Sequence, residues 1–333
     1  MQTLTLGHNG PRTAVVGLGC EGLTGHHGPV DDEAEARATI HAAIDAGIGL
    51  LDTADFYGNG RNEALIGRAL RAGDRERVTL SVKFGGLRDP AGAFVAMEGR
   101  PANVKSFLAY SLQRLGTDYI DIYRPARLDP QVPIEETVGA IAELIDAGYV
   151  RHIGLSEVGS ETIARAHAVH PIADLQIEYS LFSRGIENGV LATCRELGIG
   201  VTAYGVLAHG LLTGSYRHSE QAAGTRAHLP RFSEGNLEAN LAIVERLRPI
   251  AEAHGTSVAQ LAVAWVLAQG KEHGDVVALV GASRPGRIGE AVAAAELELS
   301  EQELAEIENA VPAADVAGLR YAAPLMTLLD SER

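Results

Sequence analysis

The chain has 333 residues, 46% of them hydrophobic and 21% charged, with a formal net charge of −15 at pH 7. That acidity argues against generic binding to nucleic acid or an anionic membrane surface, so an anionic ligand needs a local basic site. Apolar runs fall short of the ~18 residues of a membrane span, the N-terminus lacks a signal peptide's basic and apolar regions, and Cys20 and Cys194 make no disulfide framework, so a cytoplasmic protein is expected.

From the N-terminus, TLTL and TAVVGLG flank HNGPR and predict a hairpin running into an entry strand. An acidic-capped helix from Asp31 to Ala46, the strand IGLLDT and a helix from Asn62 to Leu70 come next. VTLSVKF, a helix over Ala102–Leu115, YIDIYR and a helix over Ile134–Ala147 follow. The alternation continues through VRHIGLS, a helix over Glu161–Ala168, ADLQIEYS, a helix near Glu187–Glu196 and IGVTAYG. A helix over Val258–Ala268 precedes the last strand, DVVALVG. Ser257 with Gln260 and Ser300 with Glu303 are capping signals for helix starts.

Counted from TAVVGLG, about eight strands alternate with helices, which favours an α/β fold of the (β/α)8 TIM barrel type with an N-terminal β-hairpin over an open doubly wound sheet. No Pro/Ser-rich linker divides the chain, so residues 1–333 are expected to form one barrel domain. The polar segment Tyr216–Gly235 after the seventh strand is the main irregular insertion, a lid or a loose connector.

Barrels carry their working residues at strand C-terminal ends and in the loops that follow. Those ends read Cys20–Glu21, Asp52, Lys83, Arg124–Arg127, Ser156–Glu157, Gln176–Glu178, Tyr204 and Gly281–Ser283. Lys83 is one of only three lysines, beside Lys105 and Lys271, in a chain otherwise using arginine as its cation. LLDTADFYG and SVKFG bring Asp52, Tyr57 and Lys83 to neighbouring strand ends, a pattern suited to acid–base work. An ammonium at ~4 Å in a medium of effective dielectric ~20 favours phenolate by about 4 kcal/mol, an upper bound near 3 pK units. Asp52 would keep Lys83 charged and in place. The plainer alternative is an Asp–Lys ion pair closing the barrel end, with Tyr57 as packing.

At these residues the chain resembles the aldo-keto reductases. The motifs DTADFYGNGRNEALIGRAL, SVKFGG, YIDIYRPARLDPQVPIEETVGAI, GYVRHIGLS, LQIEYSLFSR, VTAYGVLAHGLLTG, PRFSEGN and AWVLAQG span almost the whole chain in the family's order. The resemblance implies NADPH-dependent reduction of a small-molecule aldehyde or ketone, NADH being the less favoured cofactor. Tyr57, Lys83 and Asp52 match three members of the family's catalytic tetrad, tyrosine being the proton donor. The fourth, a histidine after the fourth strand, is replaced by Ala126 in Y-R-P-A-R-L-D-P. Loss of one preorganised donor to a developing oxyanion typically costs ~10²–10³ in rate. Slower turnover, a substrate that uses the freed volume, or a substitute among His26, His27, Arg124 and Arg127 are the alternatives. A widened pocket, with oxyanion stabilisation falling mostly on Tyr57, is expected.

The resemblance further puts the nicotinamide carboxamide near Ser156 and Gln176, Tyr204 against the ring, and Gly205 and Leu207 in the cofactor-binding set. Glu157 stands where asparagine is usual, Gly205 where serine is common; Glu157 loses an amide donor and either adds negative charge near the cofactor or turns to a neighbouring arginine such as Arg151. The segment VALVGASRPGRIGEA resembles the grip on the adenosine end, with Gly281 and Ser283 in the turn, Arg287 and Arg284 as clamps on a 2′-phosphate, and Glu290 beside the adenine. Three rivals stand against this reading: a barrel hydrolase using Asp52, Glu157, Glu178 and Asp129 as paired acids; a metal protein, disfavoured because only His26 and His27 cluster; and an NADPH-binding regulatory or redox-sensing protein with slow or no turnover.

Overall fold

Strands buried on both faces need near-continuous Val, Ile and Leu rather than alternation. Eight such runs close a parallel barrel in the computed structural model, which describes residues 1–25, 32–216 and 224–332. In chain order the strands are β1 (Thr3–Thr5), β2 (Arg12–Ala14), β3 (Val16–Gly19), β4 (Leu50–Ala54), β5 (Thr79–Phe84), β6 (Gly86–Arg88), β7 (Phe94–Met97), β8 (Ile120–Pro125), β9 (Val150–Ser156), β10 (Ile172–Glu178), β11 (Gly200–Tyr204) and β12 (Val276–Gly281). The barrel runs β3-β4-β5-β8-β9-β10-β11-β12 and closes where β12 pairs with β3. This is a (β/α)8 TIM barrel; β1 and β2 form the antiparallel N-terminal hairpin, and β6 and β7 a second ribbon.

The hairpin plugs the N-terminal end of the barrel. Leu6, fully buried, packs with the inward-facing Leu50, Ile122, Val277 and Leu279. Gly7 makes the approach possible: it lies at φ +65°, and a Cβ there would come within 2.5 Å of the Ala173 carbonyl oxygen. Two residues further along β4 and β8 the same inward face turns polar, from Leu50 to Asp52 and from Ile122 to Arg124. Arg124 spans the barrel interior, donating to Asp174 Oδ2 at 2.9 Å and Ser81 Oγ at 2.8 Å, while Thr202 Oγ1 donates to Asp174 Oδ2 at 2.6 Å. Gly154 leaves the room for this pair, since a Cβ there would lie 2.6 Å from Asp174 Oδ1 and 3.0 Å from Arg124 Cζ.

The helix Val258–Ala268 and its Ser257–Gln260 capping box lie where the sequence puts them, and Ser300 caps Glu301–Ala310. The helix expected near Glu187–Glu196 starts later, as Val190–Leu197, after a 3-10 turn over Gly185–Glu187. Two elements lack a clear signal: the β6–β7 ribbon, and the helix Asn236–Ala253, whose pattern is interrupted by Pro249. Of the insertion Tyr216–Gly235, residues 217–223 lie outside the described ones. From Arg226 onward it is anchored, Arg226 Nε donating to His209 O at 2.7 Å and buried Arg231 to Phe182 O at 2.6 Å and Ser183 Oγ at 2.9 Å.

Candidate active site

Beyond β4 the chain turns through Gly58, Asn59 and Gly60, all at positive φ, residue types that adopt it most cheaply, before the helix Arg61–Ala69 begins. Buried Asn62 fixes this turn, accepting from Thr53 Oγ1 at 2.7 Å and donating to Cys20 O at 2.8 Å. Tyr57 is thereby set on the wall of a cavity of about 840 Å³ at the C-terminal mouth of the barrel, with Asp52 and Lys83 beside it. Both charges are buried, and Lys83 Nζ donates to the Asp52 carboxylate and to Thr53 O at 3.1 Å. The second Asp52 oxygen accepts from Ser81 Oγ at 2.8 Å and Gln176 Nε2 at 2.7 Å. The ammonium sits 4.9 Å from the Tyr57 ring centroid, over the ring face.

This arrangement corrects one expectation. Burial pushes the Tyr57 phenol well above its ordinary pKa, Glu21 and Asp52 add to the rise, and Arg127 is the cation opposing it. The Lys83 ammonium is itself held by the Asp52 carboxylate.

After β8, Ala126 is buried on the cavity wall with Arg127 next to it. Arg124, a suggested substitute for the missing imidazole, is tied to Asp174 inside the barrel and is excluded from that role. His26 and His27 lie outside the described residues. Arg127 remains: its Nη1 donates to Ala126 O at 2.6 Å and approaches Ser156 Oγ at 3.4 Å. Ser156 itself is buried behind the wall rather than on it, whereas Gln176, Tyr204, Gly205 and Leu207 line the cavity.

Glu157 does not turn to Arg151, whose guanidinium stacks on Tyr119 instead. It is bound by Arg320 from the C-terminal segment, Nη1 to Oε1 at 2.8 Å and Nη2 to Oε2 at 2.6 Å. Burial opposes the charge on Glu157, but Arg320, then Arg127 and Tyr204, outweigh it and hold the carboxyl at about 2. Tyr204 donates to Glu157 Oε1 at 2.7 Å and meets the Tyr321 hydroxyl at 3.1 Å. Tyr321, Leu325, Leu328 and Leu329 complete the wall. Sequence reasoning missed this tail; the adjacent Arg320 and Tyr321 are its only visible signal.

At the far end lie Gly281, Ser283, Arg287 and Glu290. Arg287 Nη1 donates to Glu290 Oε2 at 2.8 Å, and Ser257 Oγ to Glu290 Oε1 at 3.0 Å. A Cβ at Gly281, Gly286 or Gly289 would meet nothing within 4 Å, so the backbone around the start of the helix Gly286–Ala294 is open to a ligand. An elongated cavity with an aromatic and an amide at one end, and open glycines, a hydroxyl and a cation at the other, fits a phosphate-bearing dinucleotide. The paired-acid rival loses support: Glu157, Glu178 and Asp129 are each committed, Glu178 to Ser183 and Arg231, Asp129 to the Gly99 and Gln131 amides. Among the described residues no group of three or more His, Cys, Asp or Glu is arranged to hold a metal ion.

The family model described as the aldo/keto reductase family matches residues 15–312. The probable aldo-keto reductase 1 of Glycine max is 42% identical over 323 residues, covering 96% of this chain and 92% of that protein. Among solved structures, the glycerol dehydrogenase of Gluconobacter oxydans superposes with a TM-score of 0.83 at 31% identity, over 92% of this chain and 94% of its own. An aldo-keto reductase of Bacillus halodurans in its holo form gives 0.77 at 28% identity, over 94% and 97%.

Proposed function

The chain belongs to the aldo/keto reductase family, which carries out NAD(P)H-dependent carbonyl reduction, and we propose that it reduces a small aldehyde or ketone to the alcohol with Tyr57 as proton donor and NADPH preferred over NADH. The observation that carries this reading is the single cavity on which Tyr57, the buried Asp52–Lys83 pair, Gln176 and Tyr204 converge, continuing to Ser283 and Arg287. Gln176 and Tyr204 would hold the nicotinamide end, with Ser156 behind them and Gly205 and Leu207 letting the backbone approach. Gly281, Ser283, Arg287 and Glu290 would hold the adenosine end, Arg287 as the cation for a 2′-phosphate. When bound, the dinucleotide supplies the hydride that adds to the carbonyl carbon.

The chain's own part is to hold and deliver a proton. A phenol pushed above its ordinary range keeps its proton throughout the neutral range, and an alkoxide developing beside it is basic enough to take it. Lys83, fixed by Asp52 and Thr53 O, lies against the ring on which the resulting phenolate charge is spread. The tail residues Tyr321, Leu325 and Leu328 narrow the mouth and limit water. We place the protein in the cytoplasm, in keeping with its two free, buried cysteines.

The buried Ala126, which brings no donor to the mouth, favours a second reading, an NADPH-binding regulatory protein with slow turnover. Stopped-flow oxidation of bound NADPH across an aldehyde panel decides between them. Rapid oxidation by the parent and a loss of ~10²–10⁴ in Tyr57→Phe support the reductase; a Tyr57→Phe variant as fast as the parent refutes the assigned proton donor.

A further inference from the structure

Among the described residues the three buried arginines each have a carboxylate partner: Arg124 has Asp174, Arg231 has Glu178 and Arg320 has Glu157. Arg127 differs. It stands on the cavity wall, and among the described residues no carboxylate lies within ion-pair distance of its guanidinium. Of its five N–H donors, those on Nη1 are the ones that described residues engage, with Ala126 O at 2.6 Å and, at the limit of a hydrogen bond, Ser156 Oγ at 3.4 Å. The remaining donors face the cavity, where an oxygen of a bound ligand can take them. The guanidinium keeps its proton: burial favours the neutral form, but Tyr204, Glu157 and Tyr321 outweigh it and its pKa is raised further.

We infer, resting on the reductase reading above, that Arg127 takes over at the position vacated by the imidazole: its guanidinium donates to the carbonyl oxygen of a substrate held against Tyr57 and stabilises the negative charge that develops there. In the step itself the reduced nicotinamide dinucleotide is oxidised as its hydride and electron pair form the new C–H bond. The carbonyl π pair moves to oxygen, the Tyr57 O–H proton forms the O–H bond of the alcohol and leaves a phenolate, and Arg127 keeps all its protons. An imidazole in this place would titrate near neutrality, whereas a guanidinium keeps one charge state throughout.

The test is single-turnover oxidation of bound NADPH by neutral para-nitrobenzaldehyde and anionic para-carboxybenzaldehyde, in the parent, Arg127→Ala and Arg127→Lys. Circular dichroism and NADPH fluorescence confirm folding and cofactor binding, and Arg127→Gln replaces the alanine variant if that fails to fold. Arg127→Ala is expected to slow hydride transfer by ~10²–10³ with both aldehydes. Arg127→Lys should retain part of the rate, and millimolar guanidinium chloride should restore part of it to the alanine variant alone. A variant as fast as the parent, or a loss confined to para-carboxybenzaldehyde, overturns the inference, the latter making Arg127 a carboxylate anchor. A parent that oxidises NADPH with no aldehyde overturns the reductase reading and this inference with it; an active parent indifferent to Arg127 overturns this inference alone.

Discussion

Arg320→Ala is expected to reverse the pH dependence of C-terminal tail docking. Arg320 makes a two-pronged bond to Glu157 and reaches Glu178 Oε2 at 3.3 Å and Glu332 Oε1 at 2.8 Å. Glu157 has no exposed surface, and its carboxyl is held at about 2 against an ordinary 4.5. That difference corresponds to about 3 kcal/mol, an upper limit for Arg320 because Arg127 and Tyr204 share in it. It agrees with the ~3–5 kcal/mol lost when one partner of a buried pair is removed. With its folded pKa depressed, Glu157 contributes stability that is fully present above about 4.5 and is lost as pH falls toward 2. Without Arg320 the burial penalty on Glu157 is left largely uncompensated, so its folded pKa moves upward and docking weakens as pH rises. Hydrogen exchange of the amides in residues 316–332 reads this directly: at neutral pH, protection should fall by up to about 10²-fold in the variant, while the barrel strands keep theirs. Acidification to mild pH should restore protection in the variant but not raise it in the parent. Because Tyr321, Leu325, Leu328 and Leu329 line the cavity, KM for the carbonyl substrate should rise alongside. Unchanged tail protection, or the same pH slope in parent and variant, refutes the role given to this pair.

Three further outcomes follow from named contacts. Arg287→Ala should raise KM for NADPH by roughly 10-fold or more, the worth of a charge-assisted hydrogen bond, and leave KM for NADH unchanged; an unchanged ratio removes Arg287 from the 2′-phosphate site. Arg124→Met strands Asp174 inside the barrel and should cost about 3–5 kcal/mol in urea denaturation, much of it recovered by adding Asp174→Leu; a loss below about 1 kcal/mol contradicts the buried pair. Burial and the nearby Glu63 push Asp55 up to about 7, above its ordinary 3.8, so its ionisation favours the unfolded chain and stability declines as pH rises between those values. Asp55→Asn should therefore raise Tm at pH 8 and converge on the parent near pH 4; an equal Tm difference at both pH values rejects the assignment.

What the sequence discloses is what local chemistry imposes. A strand buried on both faces must be apolar, so all eight barrel strands stand out between turns, and the first polar residue after each run marks the barrel mouth. Asp52, Tyr57, Lys83, Gln176 and Tyr204 were found in this way, and the cavity gathers them. Arg124 shows where the rule fails. It too is a polar residue ending an apolar run, yet it faces the barrel axis, and only Asp174, on a strand 50 residues away, explains its burial. The tail was illegible for the same reason: Arg320 meets Glu157 across 163 positions, and no local pattern carries information over that span. Spacing gives which charges are near Tyr57 but not the burial that raises its pKa.

The distribution of cations follows from the shapes they must fill. Lys105 and Lys271 are surface residues, while Lys83 sits where Asp52, Thr53 O and the Tyr57 ring face leave space for one compact ammonium. The barrel axis asks for something different. There one cation must reach Ser81, Asp174 and the Leu155 carbonyl at once, and only the planar fork of Arg124 does so. The Glu157 site likewise takes a fork, that of Arg320, because a two-pronged bond fixes the direction of approach of the chain as well as its charge. Glu157 holds φ +54°, a conformation that costs an ordinary side chain energy and that asparagine adopts more readily. Asparagine there would be easier on the backbone but would take from Arg320 the carboxylate that binds it with two prongs, leaving it Glu178 and Glu332. The strained glutamate is therefore intelligible only together with the tail it holds, and the two departures, at Glu157 and at Ala126, both put guanidinium chemistry at the mouth of the barrel.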